Sequence, residues 1–284
     1  MDKDILVVPV ANPDTATPLL ETAIDLARGL DLAVDVVHIV SVPSQIPLVE
    51  GQVVLDVEQE ELVDEGVETL EQAGIEARGR IRFARSVPRG VLGIVKEPAV
   101  QTLLMGWRGR HRKDIILGSN LDTIVNRAQA DVLIERVYAD TVEIDSILLP
   151  VADGPHTSYA AHIAGTMARE HDAAIEVLHI IEPEASDAER ARADRLIDDA
   201  LDAVGTGPDL TRTVAESKDV AEGIHTLTAK HDLTVLGSAR DGVLSRVLFG
   251  EVAESVGRSA DSRVILAKED LGIRYRLPWL HRWF

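Results

Sequence analysis

The residues with the clearest chemical potential lie between 105 and 120: Met105, Gly106, Gly109, Arg110, Gly118, Ser119 and Asn120. Glycine lets backbone N–H groups approach a ligand closely, and a helix starting near Ser119 turns its positive end toward an anion. Arg108, Arg110, His111, Arg112 and Lys113 crowd into the same stretch. On a chain of formal net charge −19, so dense a positive run is unfavourable unless something negative sits beside it. The chemistry this predicts is phosphate binding, where three or four charge-assisted hydrogen bonds of roughly 1.5–3 kcal/mol each would hold a triphosphate. The plainer alternative is a tight turn followed by a helix cap, with the arginines solvated or paired to acidic side chains. No Gly-x-x-x-x-Gly-Lys-Ser/Thr run occurs, so this is not a P-loop hydrolase.

The elements that must position these residues can be read on either side of them. Residues 100–105 form a short apolar run ending at Gly106, and Leu121, Ile124, Val125 and Ala128 have helical spacing. Upstream the chain alternates. A strand at 4–10 precedes a helix that carries Leu20, Ala23, Ile24 and Ala27 inward, capped by Asp14 or Thr17 and ended by Gly29. A strand at 32–40, a Pro-containing loop at 41–51 and an acidic helix at 53–73 follow, the last with Leu55, Leu62, Val63, Val67 and Leu70 inward and a solvated glutamate face. A strand at 75–85, a short helix at 87–95 and a fifth strand at 131–137 complete the pattern of an open parallel α/β sheet.

The pattern then begins again. Residues 146–151 repeat 5–10, and residues 177–181 repeat 36–40; Pro9 and Pro150 lie 141 residues apart, as do His38 and His179. From Gly106 to Gly237 the interval is 131, so the second copy has lost ten residues net between its second and fourth strands. Internal duplication follows. The expected units are 1–140, 141–271 and a tail at 272–284, with the link near 138–145. In the second copy Arg240 replaces Gly109 and Glu251 replaces Ser119, changes that repel or displace a phosphate, so this copy is expected to be mainly structural.

Composition narrows the functional classes. The chain has 284 residues, 45% hydrophobic and 3% aromatic, and no cysteine, which excludes disulfides and Cys-ligated metal. No apolar run approaches the ~18–20 residues of a membrane span, and the first residues lack a basic leader, so a cytoplasmic protein is expected. The acidity argues against nucleic acid as a partner. With only six lysines, the Asp/Glu-rich surface fits a salt-loaded cytoplasm, and a halophilic source is expected over an ordinary acidic protein. The tail holds four of the nine aromatics and is basic. It is expected to pack on the chain's own acidic units or across a homodimer, or to contact a membrane surface or membrane protein. His38 and His179 read as locally satisfied histidines. No metal-ligand spacing or Ser/His/Asp arrangement is evident.

Taken together, Ile5 to Val10, Val37-His38-Ile39, Leu104-Met105-Gly106-x-x-Gly109, Leu117-Gly118-Ser119 and Asp131 to Ile134, with partial repeats behind, resemble the universal stress protein family in its tandem two-domain form. Eight residues separate Gly109 from Gly118, one fewer than the family's nine, and Ala11 stands where ATP-binding relatives commonly carry an acidic residue, leaving Asn12 or Asp14 as substitutes. The resemblance implies an α/β fold of two tandem, doubly wound parallel five-strand sheets, like the adenine nucleotide alpha hydrolases. Their strand order would be 3-2-1-4-5, and they would pair through the fifth strands about a pseudo-twofold axis, as an intramolecular pseudo-dimer or in a homodimer. It implies a stress-response sensor or regulator, at most a slow ATPase, that binds ATP or AMP, with or without Mg. The site would be Val10, Ala11, Asn12, Ile39, Met105, Gly106, Gly109, Arg110, Gly118, Ser119 and Asn120, with Ile39 against the adenine. The alternative is a structural or interaction module without nucleotide. The arginine-rich loop and residues 42–47 also look like stress-type domains attached to archaeal amino-acid transporters, which makes a membrane transporter a candidate partner.

Overall fold

Because consecutive apolar residues can line both faces of a strand, the apolar runs become strands covered on both sides: Leu6, Val7 and Val8 are fully buried and Ile5 is 3% exposed. The computed structural model describes residues 3–107, 119–136, 143–237 and 262–272. The front half runs β1 (Ile5–Pro9), α1 (Pro13–Leu30), β2 (Ala33–Ser41), a 3-10 helix (Leu48–Val54), α2 (Val57–Gln72), β3 (Ala77–Ala84), α3 (Val87–Ile94), β4 (Val100–Trp107), α4 (Ser119–Arg127) and β5 (Asp131–Arg136). The rear half runs β6 (Ser146–Pro150), α5 (Thr157–His171), β7 (Ala174–Ile181), α6 (Asp187–Val204), β8 (Leu210–Glu216), α7 (Val220–Thr228), β9 (Leu233–Gly237) and β10 (Arg263–Lys268).

Each half has the expected order 3-2-1-4-5, but the two expected sheets are one. The described strands form a continuous ten-stranded sheet, β3-β2-β1-β4-β5-β10-β9-β6-β7-β8. Every adjacent pair is parallel except β5 with β10, which meet antiparallel with Ile134 opposite Leu266. The fifth strands thus join the halves, as expected. Helices α1, α2, α5 and α6 pack on one face around Leu6, Leu26, Leu133, Ile147, Met167 and Ile197. Helices α3, α4 and α7 pack on the other around Val7, Val91, Ile124, Ile224 and Leu266. Both cores draw on both halves, so burial crosses the repeat boundary. The expected link at 138–145 lies mostly outside the described residues.

Three local expectations change. The cap of α1 is Asn12, whose side chain accepts the Thr15 N–H, and not Asp14 or Thr17. Gly29 does not end that helix: Asp31 does, in the left-handed region at φ 55, and Asp172 repeats this after α5. Gly29 instead marks a close helix contact, since a Cβ there would lie 2.5 Å from Thr166 Cγ2 of α5. Helix α2 begins at Val57, because Gln59 Oε1 accepts the Asp56 N–H and fixes the start. Leu55 therefore lies outside it, while Leu62, Val63 and Leu70 are buried as expected.

The seam carries a buried ion pair. Arg263 Nε and Nη2 donate to Glu135 Oε1 at 3.1 and 2.7 Å, and Nη2 also donates to Thr22 Oγ1 (2.8 Å) and the Pro18 carbonyl (3.3 Å) of α1. The side chains are 7% and 1% exposed. Burial pushes the Glu135 carboxyl up, and Arg263 opposes that shift. By position in the repeat, Arg263 corresponds to Asp131 and Ala267 to Glu135, so the pair occurs at one end of the seam only. A β5–β5 pairing in the same register would set Asp131 of one copy beside Glu135 of the other, two buried carboxylates. The seam therefore favours β5 with β10 over β5 with itself.

Replacing Arg263 by Met should lower the unfolding free energy in urea by about 3–5 kcal/mol, because Glu135 is left buried and unpaired, and adding Glu135→Leu should restore most of the loss. A second link across the halves is pH-dependent. His171 Nε2 lies 2.9 Å from Asp25 Oδ2, and this hydrogen bond holds the imidazole above its ordinary value. The raised folded-state value means the stabilisation is fully present below the unfolded value of about 6.5 and fades as pH rises through the folded one. Relative to His171→Gln, the wild type should therefore lose up to about 1 kcal/mol of stability between pH 6 and pH 8.5, read by paired urea titrations.

Candidate functional site

In an open α/β sheet, ligands sit beyond the carboxyl ends of strands where the strand order reverses. Here that point falls between β1 and β4, where the chain leaves β1 for α1 on one face and leaves β4 for α4 on the other. The switch point brings Val10, Ala11 and Asn12 to the same end of the front half as Met105, Gly106 and the start of α4 at Ser119 and Asn120.

The turn after β1 is held from below. Val10 is 4% exposed, and its N–H donates to the Val37 carbonyl at 2.9 Å. Its own carbonyl accepts the Nδ1–H of buried His38 at 2.9 Å, the locally satisfied histidine expected from the sequence. Beyond Val10 the chain turns outward, and Ala11 and Asn12 are exposed. Asn12 Oδ1 also receives the Thr15 hydroxyl (3.1 Å), so this atom is committed to capping α1. Ile39 is 8% exposed and lies beneath α3, where a Cβ on Gly90 would come within 2.5 Å of its Cγ2. Its side chain is mostly packed into the second core rather than open to a ligand. Met105, Gly106 and Trp107 are half-buried at the end of β4, and the Arg136 guanidinium lies over the Trp107 ring, 5.8 Å from its centroid. Trp107 also packs against the core shared with the rear half. Asn120 is exposed in the first turn of α4. Gly109, Arg110 and Gly118, with the rest of the arginine-rich run, lie outside the described residues.

The rear half repeats the hold, and its turn is likewise exposed at Ala152 and Asp153. Val151 donates to the Leu178 carbonyl at 2.8 Å, and His179 Nδ1 reaches the Val151 carbonyl at 2.7 Å. There the likeness stops. A Cβ on Gly237, the counterpart of Gly106, would lie 2.9 Å from the His156 carbonyl oxygen and 3.2 Å from the Thr157 nitrogen. The turn after β6 thus rests directly on the end of β9. It is pinned there: buried His156 accepts the Glu269 N–H on Nδ1 (3.2 Å), Thr157 donates to the Ala152 carbonyl (2.7 Å), and Asp153 pairs with Arg192 of α6. This backbone contact is legible in the sequence only as a glycine at the end of an apolar strand. Arg240 and Glu251 lie outside the described residues. Among the described residues no group of three or more His, Asp or Glu is placed to hold a metal, and no helix is long and apolar enough to cross a membrane.

Comparison with known proteins agrees with this geometry. A family model described as the universal stress protein family matches residues 3–136 and again 143–268. Among solved structures, a universal stress protein from Archaeoglobus fulgidus DSM 4304 is similar at TM-score 0.69 and 17% identity, covering 94% of this chain and 96% of that one. A protein of unknown function from Pseudomonas aeruginosa PAO1 is similar at 0.64 and 18%, covering 99% and 98%. The cytoplasmic domain of a prokaryotic cation chloride cotransporter is similar at 0.65 and 13%, covering 94% and 96%. At these identities the likeness shows the fold. No curated protein matches the chain.

Gly237→Ala should destabilise the chain by about 1–3 kcal/mol, because the methyl meets rigid backbone at His156 and Thr157. Ala11→Ser, on the exposed front turn, should stay within about 0.5 kcal/mol of the wild type. Denaturant melts of the two variants check the difference between a position in contact with backbone and an exposed turn.

Proposed function

The chain belongs to the universal stress protein family, matched over both halves, and from that premise we propose that its front half binds an adenine nucleotide as a cytoplasmic sensor or regulator of the stress response. One observation carries this reading. The switch point sets the exposed turn at Ala11 and Asn12 at the same end of the front half as Gly106 and the start of α4. The front opening faces the start of α4, where N–H groups and the helix dipole favour a phosphate. Gly109, Gly118 and the arginines between them supply donors of the kind a di- or triphosphate needs. The side chains present fit ATP or AMP in this respect, and Mg would be held by phosphate oxygens rather than by a carboxylate cage. Ala11 removes an acidic contact to the sugar, and Asn12 is committed to its helix, so affinity rests on the phosphates. Ile39 contributes little beyond the floor of the pocket. No catalytic role is assigned. The acidic outer faces of α2 and α6 support a salt-rich cytoplasm as the working medium.

A second reading, an interaction module that contacts a membrane transporter, is favoured by the exposed apolar residues Val49 and Val53 on the 3-10 helix. The two readings separate by calorimetry with ATP and AMP, with and without Mg. One nucleotide per chain is expected. Gly109→Arg, which copies the rear half into the front, should weaken binding at least ~10-fold, about 1.4 kcal/mol. Unchanged affinity in that variant removes the assigned site, and the absence of any adenine nucleotide binding removes the sensor reading.

A further inference from the structure

Four of the seven large apolar residues exposed among the described residues lie together, on the 3-10 helix that the front half carries and at the start of α2. Val49 is 92% exposed, Val53 73%, Val57 66% and Leu48 41%. Val49 and Val53 lie on the 3-10 helix and Val57 opens α2, so three exposed valines fall within nine residues. Single exposed valines need no explanation, but a row of them held in place does. This row is held. Buried Gly51 lies against the Phe83 ring, where a Cβ would come within 2.5 Å of Cδ1. Arg85 Nη1 donates to the carbonyls of Pro43 (2.5 Å) and Ile46 (2.8 Å), which fixes the loop leading in. The flanks are acidic: Glu50, Asp56, Glu58, Glu60 and Glu61 are exposed. An occupant must therefore be apolar, cationic and free of carboxylates.

Residues 273–284 of this same chain have that chemistry. They hold Ile273, Tyr275, Leu277, Trp279, Leu280, Trp283 and Phe284, with Arg274, Arg276 and Arg282 and no Asp or Glu. Reach decides which copy supplies them. Strand β10 ends at Lys268 opposite Val132, at the start of β5, while the 3-10 helix packs beside the end of β3, five strand steps away. At ~4.8 Å per step that is ~24 Å sideways, with a strand length of ~20 Å to climb as well. The straight line is ~31 Å and twelve fully extended residues span ~40 Å, so the chain's own tail would arrive with about three residues left, too few to lay its aromatics along the valines. We propose that the apolar row on the 3-10 helix is the docking site for residues 273–284 of a second copy of this chain, and that exchange of tails closes a twofold dimer.

Sedimentation velocity on the full chain at rising concentration is the test. The wild type should show a monomer–dimer equilibrium. Val53→Asp should weaken it at least 10-fold, as should the double change Arg276→Glu with Arg282→Glu. Val53 is mostly exposed, so its replacement leaves the fold intact, checked by circular dichroism. An equimolar mixture of the two defective chains should regain association, because one keeps its tail and the other keeps its valine row. The chain has no cysteine, so Gln52→Cys with His281→Cys in one chain takes two spin labels cleanly. Diluted into unlabelled wild type, this chain should lose any short label-to-label distance. A wild type that stays monomeric, a Val53→Asp chain that dimerises normally, a short distance that survives dilution, or a monomer whose tail binds only anionic vesicles each overturns the proposal.

Discussion

The structure depends on an antiparallel contact between two strands that are otherwise built for parallel neighbours. Each half ends its sheet on a fifth strand, buried on both faces, and an uncovered strand of that kind would expose apolar side chains and unpaired backbone groups together. Pairing β5 with β10 removes both exposures and merges two cores into continuous layers. Glu135 and Arg263 then make that contact selective. The carboxylate is buried by the seam and neutralised across it, and the guanidinium reaches on to α1 through Thr22 and Pro18. A buried pair of this kind adds little net stability over apolar residues of the same size. Its contribution is a penalty on the wrong partner, since β5 facing a second β5 brings Asp131 and Glu135 together.

The pseudo-symmetry so created leaves two strand ends free to diverge. Both halves fasten the turn after their first strand with the same histidine-to-carbonyl hydrogen bond, His38 to Val10 and His179 to Val151. Beyond that bond the two turns part. In the rear half His156 is drawn under the end of β9 and tied to the chain after β10. In the front half the counterpart of His156 is half-buried Thr15, whose N–H and hydroxyl bond to Asn12 at the cap of α1. A duplicated scaffold can thus vary the residues of one turn, because the shared seam and cores hold the frame whichever way a turn goes.

Charge is arranged to the same end. Helices α2 and α6 carry thirteen carboxylates, all exposed, where water screens them. Besides Glu135, Asp35 is fully buried in β2 and answered by Arg78 and Arg80 of the edge strand β3, which also pair with Glu97. These arginines line one outer strand of the sheet with charge, a common guard against strand addition. The insert above β3 departs from this pattern by presenting valines to solvent, and for that reason it reads as a surface for contact.

The sequence by itself determined the alternation of strands and helices, the duplication, the order within each half and the fifth-strand pairing, the last two through family resemblance. Those features rest on apolar periodicity and on local motifs such as Pro9 with Pro150 and His38 with His179, which neighbouring residues encode. It also placed charges inside apolar strands at Glu135 and Arg263, but their meaning needs a partner some 130 residues away. Helix ends were less legible, as Asn12, Asp31 and the Asp56–Gln59 start show, because several nearby residues can cap equally well and the choice depends on where the strands deliver the chain. Only the tertiary structure decided that β5 meets β10 in the register that joins Glu135 to Arg263, that Ile39 is roofed by α3, and that Gly237 is tight against His156. Each of these is set by the distance between backbones far apart in sequence, and a residue type alone carries no record of that distance.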